Sequence, residues 1–209
     1  MTKDWVEWHR RYETDRGLAR RLEVVQDRIR RILGEQPAGR VRVLSLCAGD
    51  GRDLLGALED NDRAADVQGR LIELNPQLSN AGRRRAERAG ITGLEFVIGD
   101  ASNSSTSEGA APADLVLACG IFGNISDSDI RGMISHLPEL CSRKATVVWT
   151  RHRGEPDATP AIREWFRESG FAEVAFLPIP EEAESVGVHR LESPQRPFQA
   201  GVRLFTFTR

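Results

Sequence analysis

The sequence predicts an α/β fold built on a doubly wound sheet of seven strands, and three observations carry that reading. From residue 41 onward, apolar runs alternate with segments of helical periodicity, the pattern of strand–helix–strand units with right-handed crossovers. Runs such as Ala113-Asp-Leu-Val-Leu-Ala118 and Ala145-Thr-Val-Val-Trp149 are apolar almost throughout, as parallel strands covered on both faces require. The chain also closes on two extended runs, 171–177 and 202–208, with no helix between them, so the sheet is expected to end on an antiparallel strand.

At the N-terminus, Trp5, Trp8, His9 and Tyr12 form an aromatic cluster on a short helix, which Gly17 separates from a longer one. Residues 18–33 place Leu18, Leu22, Val25, Ile29 and Ile32 at three- and four-residue spacings, giving an amphipathic helix with an Arg-rich outer face. Gly34 to Gly39, with Pro37 between them, stops that helix and links it to the first strand. Residues 1–36 are therefore read as an N-terminal helical extension and 37–209 as the sheet domain. Strands are expected at 41–47, 69–74, 94–98, 114–119, 145–150, 171–177 and 202–208, and helices near 52–60, 76–89, 127–137 and 160–169. The Ser-rich Ala101–Ser107 reads as a loop or very short helix, and 178–201, with four Pro, as a long irregular connection.

Composition sets limits on function. Hydrophobic residues are 40% of the 209, enough to bury a core at this size. The net charge is −2, and the charges are mixed in sign along the chain, so no face is basic enough to expect a nucleic-acid partner. Cys47, Cys119 and Cys141 are odd in number, far apart and lack ligand spacing with His, so neither a disulfide framework nor a metal site is expected. Met1–Arg10 is too polar for a signal peptide and no apolar run approaches a membrane span; a cytoplasmic protein with no membrane partner is expected. The Arg-rich helical N-terminus offers a surface on which a homodimer could form.

The most specific signal is Val41-Arg-Val-Leu-Ser-Leu-Cys-Ala-Gly-Asp-Gly-Arg-Asp53, followed by Leu71-Ile-Glu-Leu-Asn75. Gly49 and Gly51 allow a sharp bend and a close approach of backbone to ligand. Glu73, at the end of the second run, is placed to accept from both hydroxyls of a ribose. An adenosine-containing cofactor follows from the pair.

With these pieces in order, residues 41–209 resemble the class I S-adenosylmethionine-dependent methyltransferases, a Rossmann-like family whose first motif reads Asp/Glu-x-Gly-x-Gly-x-Gly. The corresponding segment is Ser45–Gly51 or Cys47–Asp53; either way two glycines survive, and Cys47 and Asp53 stand in other positions of the pattern. More narrowly, the chain resembles bacterial, actinobacterial-type members of unassigned substrate that carry Leu-Cys-Ala-Gly-Asp-Gly-Arg-Asp. The resemblance implies S-adenosyl-L-methionine as cofactor and S-adenosyl-L-homocysteine as product. It implies that Glu73, with Leu74 beside it, holds the ribose, while Asp100 accepts from the adenine amino group and the Ala101 amide pairs with a ring nitrogen. Cys119 and Gly120 would face the methionine portion, Cys47 and Ala48 would pack on the cofactor, and Asp50 would either bond its amino group or brace the turn.

Methyl transfer from a sulfonium is an in-line displacement that needs alignment and exclusion of water rather than a metal or a covalent intermediate. If the acceptor is a hydroxyl or an ammonium, a general base helps. His152, directly after the fifth strand, and His189, in the connection before the last, are the candidates; Arg151 and Arg153 are candidate anchors for an acidic acceptor. Trp8 and Tyr12, with His9, are candidate lid residues over the cofactor. Cys119 sits where cytosine-C5 methyltransferases keep a nucleophilic thiol, but between Ala118 and Gly120 rather than after Pro, and Asn/Asp-Pro-Pro-Tyr is missing. Both absences argue against DNA base methylation; the lid, the basic cluster after the fifth strand and the 178–201 connection together suggest an enclosed pocket, which favours a small-molecule acceptor over a polymer. The competing readings are a nicotinamide-dependent oxidoreductase, against which position 54 is Leu rather than the third fingerprint glycine, and a non-catalytic S-adenosylmethionine-binding regulatory protein.

Overall fold

The computed structural model describes residues 5–179 and 182–208, apart from the side chains of Trp5 and Trp8. Helix α1 (Trp5–Arg10) and a 3₁₀ turn (Arg11–Glu13) lead into α2 (Arg16–Glu35), which Asp15 caps by accepting from the Leu18 amide. Then come β1 (Val41–Leu46), α3 (Arg52–Leu58), β2 (Val67–Glu73), α4 (Pro76–Arg88), β3 (Leu94–Ile98) and β4 (Ala113–Ala118). The chain continues through α5 (Asp127–Leu140), β5 (Cys141–His152), α6 (Thr159–Glu168), β6 (Phe171–Pro178) and β7 (Glu184–Leu191).

The seven strands form one sheet in the order β3-β2-β1-β4-β5-β7-β6. Strands β1 to β5 run parallel, and β7 is antiparallel to both its neighbours, β5 and β6. Consecutive residues of a strand point to opposite faces, so each central strand feeds two cores. Val43, Leu117 and Val148 point to the face covered by Val25, Ile29 and Leu33 of α2 and by Leu54 and Leu58 of α3. Leu44, Val116 and Val147 point to the other face, covered by Met133, Ile134 and Leu137 of α5 and Phe166 of α6. Helix α2 is thus part of the domain core, through the apolar stripe its spacing predicted, with Leu22 only half-buried at its margin.

The closing hairpin exists, but its second strand is not where the sequence put it. Residues expected to form an irregular connection contain β7, and 202–208 forms no sheet strand. Gly187 dilutes the strand signal of β7, and it is there because the Trp149 indole occupies the place a Cβ would take. Residues 202–208 run extended instead across the sheet's carboxyl edge. Leu204 N–H donates to the Ser102 carbonyl at 2.7 Å and Thr208 N–H to the Asn124 carbonyl at 2.9 Å, so loops rather than strands take up this tail. Leu204 and Phe205 bury themselves in the α5 core.

No helix among the described residues is long and apolar enough to cross a membrane, and no cluster of three or more His, Cys, Asp or Glu among them could hold a metal.

Candidate active site

Parallel strands deliver all their carboxyl ends to one edge of the sheet. Beyond that edge lies a cavity of about 520 Å³ to which β1 to β4 each contribute a residue at or just past the strand tip: Cys47, Glu73, Asp100 and Cys119. The chain leaves β1 through a coil in which Cys47 (φ 52°), Gly49 (φ 59°) and Gly51 (φ 68°) are all left-handed. Cys47 therefore holds a conformation that glycine adopts at no cost. Burial, with Glu73 and Asp100 nearby, pushes its thiol up and keeps it neutral. Gly51 leaves room for the Leu71 side chain and starts α3.

Glu73 is fixed at both oxygens. Oε2 accepts from the Gly49 amide and Oε1 from the Asn75 amide, each at 2.8 Å. Asn75 in turn caps α4, accepting from the Gln77 and Leu78 amides, which locks the turn after β2. Burial raises the Glu73 carboxyl, and the amides of Asn75, Gly49 and Leu74 counter it. A carboxylate has about four acceptor positions, so these amides leave Glu73 acceptor capacity for a ligand. Leu74 next to it is 68% exposed on the cavity rim, an apolar surface suited to a flat ring.

Asp100 also lines the cavity, but the protein already engages both its oxygens. Oδ1 accepts from Ser102 N–H at 2.9 Å and Ser102 Oγ–H at 2.6 Å, and Oδ2 from Arg203 at 2.9 Å. Against the burial that would raise it, these bonds hold the Asp100 carboxyl below its usual range. Ala101 is buried on the cavity wall, and its amide has no acceptor among the described residues.

The N-terminal segment covers the β1 bend. The His9 ring lies where a Cβ on Gly49 would stand. Arg52 grips Asp50 with two bonds of 2.8 and 2.7 Å, donates to the His9 carbonyl, and stacks 4.5 Å from the Tyr12 ring centre. Asp50 thus faces Arg52 and His9 and does not line the cavity, whereas His9 and Tyr12 do. The Trp8 side chain lies outside the described residues.

No family model matches the chain, and no curated relative matches it. Solved structures do match. A magnesium protoporphyrin IX methyltransferase from Synechocystis, solved with SAH bound, superposes with a TM-score of 0.70 at 12% identity, covering 90% of this chain and 94% of that one. The chain has the class I methyltransferase fold. An O-methyltransferase family protein from Burkholderia thailandensis gives a TM-score of 0.62 at 18% identity over 80% of this chain, which spans only 56% of that structure's length. An RNA methyltransferase from Salinibacter ruber, in complex with S-adenosyl-L-homocysteine, gives 0.55 at 21% identity, covering 84% and 96%.

Within this class I fold a second cavity, of about 400 Å³, opens beside the first and shares Gly120 with it. Gly120 has φ 77°, and nothing lies within 4 Å of the point where a Cβ would stand, so open space adjoins its backbone. The tip of β5 supplies Thr150, Arg151 and His152 to the second cavity, and Tyr12 and Arg21 join the walls of the two: Arg21 donates to Tyr12 Oη at 2.9 Å and to Glu184 at 2.8 Å.

Two expected roles look different in place. His189 lies inside β7, 1% exposed and lining neither cavity, stacked on Phe166 and accepting from Trp149 Nε1 at 3.1 Å. It reads as a site residue in the sequence only because β7 reads as a loop. His152 does line the second cavity, but its Nδ1 accepts from the Gly154 amide at 2.9 Å. A neutral ring so bonded carries its proton on Nε2 and offers a donor there rather than a base. Cys119 is a half-buried thiol on the first cavity's wall, 3.9 Å from the Val148 carbonyl, and desolvation holds its pKa well above the ordinary value. Arg153 reaches back to Asp157.

Sequence reasoning missed Asp53, Asn75, Ser102 and the tail residues Arg203, Thr206 and Phe207 as cavity walls. Asp53 stands inside the glycine-turn motif, three residues before Gly56 on α3. The tail carries no signal beyond its resemblance to a strand.

Proposed function

We propose that this protein is an S-adenosylmethionine-dependent methyltransferase acting on a small molecule. The observation that supports it most is Glu73, held at both oxygens by the backbone of its own turn and of the β1 bend on the wall of the larger cavity, with acceptor capacity left over. The residues fit the cofactor. Glu73 would take the ribose hydroxyls, Leu74 and the Ala101 amide the adenine, and Cys47, Ala48, Cys119 and Gly120 the methionine end. Asp100, already held by Ser102 and Arg203, would shape the adenine pocket's edge and keep Ala101 in place.

When bound, S-adenosylmethionine supplies a methyl group activated by its own sulfonium charge. The chain's part is then to position and to exclude water. His9 and Tyr12 act as the lid, latched by Arg52 and Arg21, and the 1–36 extension serves the site through them. The smaller cavity receives the acceptor, with Gly120 as the passage between them. A space of about 400 Å³ suits a metabolite better than a polymer strand. Three free thiols fit a reducing, cytoplasmic setting.

Isothermal titration calorimetry tests the reading. S-adenosylmethionine and S-adenosylhomocysteine should bind the folded protein, and NADH should not. Binding of NADH alone would replace this reading by an oxidoreductase.

A further inference from the structure

The smaller cavity is lined by three acids and three arginines, and among the described residues two of each are paired with one another. Its acids are Asp15, Glu182 and Glu184. Asp15 pairs with Arg11 at 2.8 Å and caps α2, and Glu184 pairs with Arg21 at 2.8 Å. The Glu182 carboxylate stands 2.8 Å from the place of a Cβ on Gly17, at the N-terminal turn of α2, where the helix dipole favours a negative charge. That leaves Arg151. Its guanidinium is anchored to the Phe122 carbonyl, has no carboxylate partner among the described residues, and keeps a buried Nε–H with no acceptor among them. A carboxylate matches the planar fork of a guanidinium.

Two neighbouring groups add donors and no charge to oppose an anion. Thr150, 1% exposed, accepts from the Gly120 amide at 2.8 Å, so its own hydroxyl proton is left to donate. His152, with Nδ1 occupied by Gly154, presents Nε2–H. Resting on the methyltransferase reading above, we propose that the smaller cavity takes an acceptor bearing a carboxylate, bound by Arg151. Arg151 is then the residue that selects acidic acceptors over neutral ones of the same shape.

The test uses the full chain saturated with S-adenosylhomocysteine, titrated with benzoate, phenylacetate and succinate and with the corresponding amides. At least one carboxylate should bind about tenfold or more tightly than its amide. In Arg151→Gln that preference should vanish while S-adenosylhomocysteine affinity is unchanged, which also shows that the variant folds; Arg151→Lys should keep part of it. Equal binding of acids and amides, a preference that survives Arg151→Gln, or binding of inorganic phosphate alone would overturn the proposal. Failure of S-adenosylhomocysteine itself to bind would instead overturn the methyltransferase reading, and the acceptor proposal with it.

Discussion

The Gly49 amide donates to Glu73 Oε2 at 2.8 Å, tying the bend after β1 to the acid at the tip of β2. The bond spans neighbouring parallel strands whose register sets Leu46 beside Ile72. The bond helps to hold the Glu73 carboxylate on the cavity wall. Glu73→Ala should therefore weaken S-adenosylhomocysteine binding by about 10- to 100-fold, the worth of hydrogen bonds to a charged acceptor. Glu73→Gln should do nearly as much, since an amide NH₂ cannot accept. Calorimetry on both variants, with melting curves to confirm folding, measures this.

Gly49→Ala should both strain the bend and displace the lid. A left-handed L-residue costs about 1–2 kcal/mol, and the new methyl would collide with the His9 ring. Adding His9→Ala should relieve the collision but not the backbone strain, so cofactor affinity should recover in part and stability less. Equal recovery of both would show that the φ of 59° matters little.

Arg21 and Glu184 form a buried pair, 8% and 11% exposed, on the wall of the smaller cavity. Arg21→Met should cost about 3–5 kcal/mol, because it strands the carboxylate, whereas the double change Arg21→Met, Glu184→Leu should be much milder. Denaturant unfolding of the three proteins decides it. The single variant should also loosen Tyr12, whose hydroxyl loses the Arg21 hydrogen bond, and so raise the KM for S-adenosylmethionine.

Two buried groups give pH dependence of opposite sign. Burial pushes the Asp53 carboxyl up to about 6 from an ordinary value near 3.8. The folded state keeps that proton while the unfolded state loses it, so this group's contribution falls as pH rises from about 4 to about 6, by about 3 kcal/mol in all. Asp53→Asn should be more stable than the parent at about pH 8 and no more stable at about pH 4. Burial lowers His189 to about 4 from 6.5, with Glu173 opposing. Here the unfolded state binds the proton first, so stability is lost as pH falls from about 6.5 to about 4. His189→Gln should flatten that acid limb and leave S-adenosylhomocysteine affinity untouched. A lost affinity would put His189 back at the site.

Much of this was legible in the sequence because the informative residues are local. Cys47 to Asp53 and Glu73 to Pro76 are each a strand tip, a turn and a helix start, and their chemistry depends on neighbours a few positions away. The helices α2 to α6 were found near their ends because their apolar spacing is strong. What failed depends on partners distant in the chain. Gly187 makes sense only under Trp149, and the tail 202–208 only beside Ser102 and Asn124. The bond that Arg203, 103 residues on, makes to Asp100 is equally invisible in the sequence.

The most direct test is a crystal structure of the protein grown with S-adenosylhomocysteine. The ribose hydroxyls should lie within hydrogen-bonding distance of both Glu73 oxygens, the adenine against Leu74 and Ala101, and the sulfur towards Gly120. Ligand bound elsewhere, or a larger cavity that stays empty while Glu73 keeps its present bonds, would contradict the account.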